Sequence, residues 1–164
     1  MGGTLGAAAT AGVADAFFAG RCKAYTSDVS QLAAARLRAP NGQAFRILPE
    51  HISKEPLAPV VRRGDEDWLT LVRWVLFALV AAEERDITQQ NARDRGASRA
   101  LISDAEISKA LGTDPGWALR AVQSVGNYGE VFERNLGKQS PLKLERGLNR
   151  LWKDGGLMYA PPLR

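Results

Sequence analysis

The chain is poor in the residues that most often carry out catalysis and bind metals. It has one cysteine, Cys22, and one histidine, His51. A single cysteine excludes an intramolecular disulfide and a cysteine metal cluster. Catalysis by a cysteine–histidine pair would need these two residues to meet. We predict instead that Cys22 is a small buried side chain and that His51 is exposed in a polar turn.

Long apolar runs and a targeting signal are also missing. The longest apolar run covers residues 74–82, which is too short to cross a bilayer. The first twenty residues contain no Lys or Arg and include an acid, Asp15, so they do not have the pattern of a signal peptide. We therefore expect no membrane-spanning segment and no export signal in this chain.

The sequence contains no motif for phosphate, dinucleotide, zinc or calcium binding of the usual spacing. The acids at residues 65–67 stand at the start of a predicted helix, where they complement the helix dipole. Glu83 and Glu84 are adjacent, so on a helix they point about 100° apart and cannot easily act as a paired acid and base. We therefore predict no enzyme activity, no cofactor and no metal site.

What is present is the composition of an ordinary globular domain. Of 164 residues, 45% are hydrophobic and 24% are charged, which allows one compact domain with a sizeable core. The formal net charge is +4, but the basic residues alternate with acids and form no stripe with aromatic residues. We therefore expect no nucleic-acid partner.

The most informative stretch is residues 19–37. Residues 22–26 favour a short buried strand, and residues 32–37 favour a helix with an apolar face. Ser27 and Asp28 stand between them and are residues typical of a helix N-cap. Asp28 would then lie at the carboxyl end of a strand, where ligands collect in open α/β sheets. The local pattern leaves two interpretations: Asp28 caps the helix, or its carboxylate receives a ligand ammonium group.

The rest of the chain alternates turn signals with further predicted elements. Residues 14–19 should end a helix at Gly20, and residues 49–56 form a polar, proline-flanked linker. Residues 86–99 should be a surface loop or a frayed helix. Strands are predicted at residues 45–48 and 57–62. Helices are predicted at residues 65–84, 130–136 and 144–153. Two further helices are predicted, one from a Ser103–Glu106 capping box to Gly112 and one that begins at Pro115.

Several separated stretches carry a resemblance to a known family. They are, in order, GRCKAYTSD, ILPEHISKEPLAPVVRRGDEDW, VRWVLFALVAAEE, QSVGNYGEVFERNLG, RGLNRLW and GGLMYAPPLR. Over residues 15–164 the chain resembles the C-terminal half of the periplasmic substrate-binding component of general L-amino-acid ABC transporters, among the family-3 extracellular solute-binding proteins. The resemblance implies an α/β chain with a partial type II periplasmic-binding-protein fold.

In that fold two lobes close on a ligand by a hinge motion. The resemblance implies that residues 1–14 are a low-complexity start, residues 15–55 the C-terminal part of lobe two, and residues 56–164 the C-terminal segment of lobe one. It also implies a periplasmic monomer that captures L-amino acids and delivers them to the permease subunits in the inner membrane, without a cofactor. The family's acid that contacts the ligand's α-ammonium corresponds to Asp28, while an earlier acid of the same motif is replaced by Lys23.

The family's carboxylate-binding Arg and its Gly-Thr-Thr loop lie upstream of the matched stretch and have no counterpart here. We therefore expect a truncated member of the family, in which a sheet edge and an apolar helix face are left uncovered and stability is marginal. The alternative to amino-acid capture is a non-binding remnant or an interaction module.

Overall fold

The computed structural model describes residues 7–53, 56–94, 96, 101 and 105–163. The chain divides into two compact units, Met1–Pro56 and Leu57–Arg164. The first unit contains helices α1 (Ala7–Phe18) and α2 (Val29–Arg38). The second contains α3 (Glu66–Glu84), α4 (Ala105–Ala110), α5 (Trp117–Val125) and α6 (Tyr128–Asn135). Short 3-10 turns lie at Gly42–Ala44, Asn91–Arg93, Gly147–Asn149 and Trp152–Asp154.

The three predicted strands are wrong. Residues 22–26, 45–48 and 57–62 are irregular, and the described residues hold no β-strand, only an isolated bridge between Leu151 and Met158. A strand exists only when a neighbouring strand completes its hydrogen bonds, and β-propensity by itself cannot supply that neighbour. The chain as described is therefore helix-rich, whereas an α/β fold was expected.

In the first unit, the end of α1 agrees with the prediction, since the helix stops at Phe18 and Gly20 adopts a φ of 75°. An aromatic cluster of Phe17, Phe18, Tyr25 and Phe45 follows, with ring centroids 4.9 to 6.1 Å apart. Cys22 is exposed, so its predicted burial is wrong. Because residues 22–26 do not join a sheet, nothing covers this side chain in the described part of the unit.

Helix α3 organises the second unit, and its prediction is confirmed. The Asp65 carboxylate accepts a hydrogen bond from the Trp68 backbone N–H at 3.0 Å and begins the helix. The C-terminal half of α3 enters the core through small residues, which let neighbouring elements approach closely. That core consists of Ala78, Ala81, Ala82, Ile87, Ala92, Leu101, Trp117, Ala118, Val122 and Leu163.

Two helix predictions in this unit need correction. Helix α5 begins at Trp117, two residues after Pro115, because Asp114 first accepts a hydrogen bond from the Gly116 N–H at 2.8 Å. Residues 144–153 do not form a helix. They form 3-10 turns instead, because their backbone bonds to the C-terminal segment: the Trp152 N–H donates to the Met158 carbonyl, and the Met158 N–H donates to the Arg150 carbonyl.

Other predictions are met in part. Helix α6 was expected to begin at residue 130 and begins at Tyr128. Residues 86–99 include buried Ile87 and Ala92, so this segment is more than a surface loop. His51 is exposed, as predicted. Ser103, the proposed N-terminal residue of a capping box, lies outside the described residues.

None of the helices in the described part of the chain combines the length and the hydropathy that a membrane-spanning helix needs.

Candidate functional site

Asp28 occupies the N-cap position of α2, but its side chain does not cap the helix. Its Oδ2 accepts a hydrogen bond from the Gln31 side-chain amide at 3.1 Å. The Ser27 hydroxyl donates to Oε1 of the same Gln31 at 2.9 Å, which orients the amide toward Asp28. Within the described residues, the half-buried Asp28 carboxylate therefore bonds to one neutral partner and keeps acceptor capacity for another.

This arrangement does not support the interpretation that Asp28 caps the helix with its side chain. The predicted strand before it does not form, so Asp28 follows an irregular segment, although it still precedes a helix. A carboxylate at a helix N-terminus is stabilised by the helix dipole. A carboxylate with free lone pairs can also accept charge-assisted hydrogen bonds from an ammonium group. No group of His, Cys, Asp and Glu among the described residues could hold a metal ion.

Residues 126–129, Gly-Asn-Tyr-Gly, have a structural role in the second unit. Asn127 and Glu130 form a capping box, in which each side chain accepts a hydrogen bond from the other residue's backbone N–H at 2.9 Å. Glu130 also accepts from the Gln89 backbone N–H, and Asn127 donates to the Ile87 carbonyl, both at 2.9 Å. These bonds hold the loop after α3 against the corner between α5 and α6. The Asn-x-x-Glu spacing was the sequence signal for this box.

A second polar contact joins segments far apart in sequence. Arg146 donates to both carboxylate oxygens of Glu83, at 2.9 and 3.1 Å. The guanidinium also lies 5.3 Å from the ring centre of Tyr128 and 5.2 Å from that of Phe132, within cation–π distance. A Cβ at residue 129 would lie 2.9 Å from Glu83 Oε1, so Gly129 makes room for this ion pair.

Glu84 has a different partner from Glu83. It accepts a hydrogen bond from the Trp152 indole N–H at 3.1 Å, while Glu83 pairs with Arg146. Tyr128 is half-buried, and this burial raises the pKa of its phenol. The two glutamates therefore join the end of α3 to Arg146 and Trp152, contacts that local sequence patterns did not reveal.

The second unit also carries an apolar groove of about 270 Å³. One wall comes from α3 through Trp68, Leu71, Val72 and Val75, and the other comes from Trp117 and Arg120 of α5. Arg120 forms an exposed ion pair with Asp114 at 2.7 Å, and the hydrogen bond from Arg120 lowers the pKa of Asp114. The indole N–H of Trp117 is buried without an acceptor among the described residues.

Comparison with known proteins identifies related sequences, although no family model matches the chain. It is 50% identical over 155 residues to the glutamate/glutamine/aspartate/asparagine-binding protein BztA of Rhodobacter capsulatus, covering 90% of this chain and 46% of the relative. It is also 50% identical over 157 residues to the general L-amino acid-binding periplasmic protein AapJ of Rhizobium johnstonii, covering 91% and 46%.

A solved structure agrees with these sequence matches. It is an ABC transporter/periplasmic binding protein from Brucella ovis with glutathione bound, 46% identical to this chain, with a TM-score of 0.80. The match covers 92% of this chain and 50% of that one. The chain thus spans about half the length of the relatives it matches. The resemblance seen in the sequence is confirmed: over about half of their length, this chain is homologous to the periplasmic amino-acid-binding proteins of ABC transporters.

Proposed function

We propose that this chain is part of a protein that captures L-amino acids in the periplasm and delivers them to the permease of an ABC importer. The relatives are named as amino-acid-binding proteins, and the related Brucella ovis structure is named as an ABC transporter/periplasmic binding protein. The observation that carries the proposal for this chain is the Asp28 carboxylate, which bonds to a neutral side chain and not to the helix amides.

In this proposal Asp28 receives the α-ammonium group of the ligand. Gln31, held by Ser27, fixes the direction of the carboxylate, so less side-chain entropy is lost when a ligand binds. Glutathione, which the Brucella ovis protein holds, ends in an α-amino acid group and offers the same ammonium. The lobe assignment belongs to the proposal as well, with residues 15–55 in lobe two and residues 56–164 in lobe one of a monomeric binding protein.

The test is calorimetric titration of the purified chain with a pool of L-amino acids, then with single amino acids and glutathione. Loss of a hydrogen bond to a charged group should weaken binding about tenfold to a hundredfold in Asp28→Asn. Asp15→Asn is the matched control, because Asp15 is an exposed aspartate of the same unit. Equal affinities of the wild type and Asp28→Asn would refute the role of Asp28.

A second candidate function is an interaction module without ligand binding. The observation that favours it is the apolar groove of α3 and α5, which is a surface suited to a protein partner. A folded wild-type sample that releases no heat with any amino acid or with glutathione would support this candidate and exclude amino-acid capture by this chain alone.

A further inference from the structure

Asp28 stands where a helix cap normally acts, yet its carboxylate bonds to no backbone amide of α2 in the described part of the chain. Its carbonyl accepts the first backbone bond of α2, from the Leu32 N–H at 2.9 Å, so Asp28 is the N-cap residue by position. An N-cap aspartate ordinarily accepts a hydrogen bond from the second or third amide of its helix. Here the amides of Ser30 and Gln31 have no acceptor among the described residues.

A single side chain holds the carboxylate in this position. Gln31 Nε2 donates to Asp28 Oδ2 at 3.1 Å, while Gln31 Oε1 accepts from the Ser27 hydroxyl at 2.9 Å. A side-chain amide has its donor at one end only. Turned around, the amide of Gln31 would set its oxygen against the carboxylate and could not bond to it. The bond from Ser27 therefore selects the orientation in which Gln31 holds Asp28.

The carboxylate thus has two alternative sets of donors, the amide of the Gln31 side chain and the backbone amides of α2. An N-cap side chain typically favours the helix by a factor of about five in the equilibrium constant. A net hydrogen bond between side chains contributes a factor of about two to ten. Because the two contributions are similar, loss of the Gln31 donor should be enough to move the carboxylate onto the backbone amides.

We propose that Gln31 is a positioning residue, which holds the Asp28 carboxylate off the backbone amides of its own helix and so keeps it available to a ligand. This inference rests on the proposed function, since the ligand group is the α-ammonium assigned to Asp28 there. A carboxylate bonded to the helix must leave it before it receives an ammonium group. The apparent affinity is then reduced by the fraction of chains in which the carboxylate is free. Gln31 thus sets how much of the protein is ready to bind.

Backbone amide exchange, followed by NMR in the whole chain without a ligand, tests where the carboxylate lies. Gln31→Met removes the donor and keeps a similar side-chain length and helix propensity. We expect exchange at residues 30 and 31, corrected for the changed side chain, to slow by about fivefold as the carboxylate moves onto the helix. The slowing should vanish when Asp28→Ala is added. Unchanged exchange in Gln31→Met, or slowing that persists with Asp28→Ala, would overturn the proposal.

Two further variants act as controls for this experiment. Ser27→Ala should slow the exchange less than Gln31→Met does, because the Gln31 amide can still bond to Asp28 in one of its two orientations. Arg38→Met introduces the same residue at an exposed position in the last turn of α2, and it should leave exchange at residues 30 and 31 unchanged. An equal slowing in Arg38→Met and Gln31→Met would show a general effect on the helix and would contradict the proposal.

Calorimetric titration connects the position of the carboxylate to ligand binding. Gln31→Met should weaken the binding of an amino acid by about two- to fivefold, which is less than the effect of Asp28→Asn. Weakened binding in Asp28→Asn without any change in Gln31→Met would overturn the role of Gln31 and leave the proposed function intact. A folded wild type that binds no amino acid would refute the proposed function, while the exchange data would still decide whether Gln31 holds Asp28 off the helix.

Discussion

The ion pair between Glu83 and Arg146 should stabilise the second unit more than any exposed pair. Its side chains are only 19% and 15% exposed, and Arg146 bonds both carboxylate oxygens. Removing one partner of a buried pair costs about 3–5 kcal/mol, because the other charge is left without compensation. Since some solvent reaches this pair, we expect Arg146→Met to lower the free energy of unfolding by about 2–4 kcal/mol.

Methionine is chosen because its length allows it to keep the packing on Tyr128 and Phe132 while the charge is removed. Urea unfolding, followed by circular dichroism, measures the effect. Glu83→Gln and the double variant complete a thermodynamic cycle, in which the double variant should lose less stability than the sum of the two single variants.

The matched control is Arg120→Met, which breaks the pair with Asp114. Those side chains are 57% and 61% exposed, so solvent screens the charges and the free energy of unfolding should not change measurably. The reasoning would be refuted if Arg146→Met destabilised the chain no more than Arg120→Met, or if the effects at Glu83 and Arg146 simply added.

Two further predictions concern the same region. Gly156→Ala should lower the free energy of unfolding in urea by about 2–3 kcal/mol, since its Cβ would overlap the Arg150 carbonyl oxygen. Gly12→Ala has open space around its Cβ and should not destabilise the chain, so similar stabilities of the two variants would contradict this prediction. Folding raises the pKa of the Tyr128 phenol. The stabilisation that comes from keeping this phenol protonated is therefore fully present below the unfolded pKa of about 10, and it is lost as the pH rises through the folded pKa. Absorbance titration should show one late tyrosine transition that Tyr128→Phe removes, and a late transition that persists in this variant would exclude Tyr128 as its source.

Helices with strong local signals were predicted well from the sequence. Helix α3 combines acids at its start with apolar residues at helical spacing, and the structure begins it at Glu66 after an Asp65 cap. Helix α6 begins two residues before its predicted start at residue 130, because the Asn127 side chain caps it there. Both starts depend on contacts within four residues, which a sequence displays directly.

The predicted strands failed for a physical reason. Residues 22–26 and 57–62 have suitable side chains, but a strand needs hydrogen bonds from a neighbour that the described residues do not supply. The predicted burial of Cys22 failed with its strand. The ligand role of Asp28 stays a prediction.

The sequence by itself determined the main helices, the lack of recognisable catalytic and metal motifs, and the family relation, because these depend on local patterns and on ordered stretches of residues. Only the tertiary structure decided that residues 144–153 are not helical, since their backbone bonds to the C-terminal segment. It also decided that Arg146 meets Glu83, 63 positions away, and that the buried residues of α3 begin at Ala78 while Trp68 near its start is exposed. Such contacts depend on how distant segments pack, and no local pattern in the chain displays that packing.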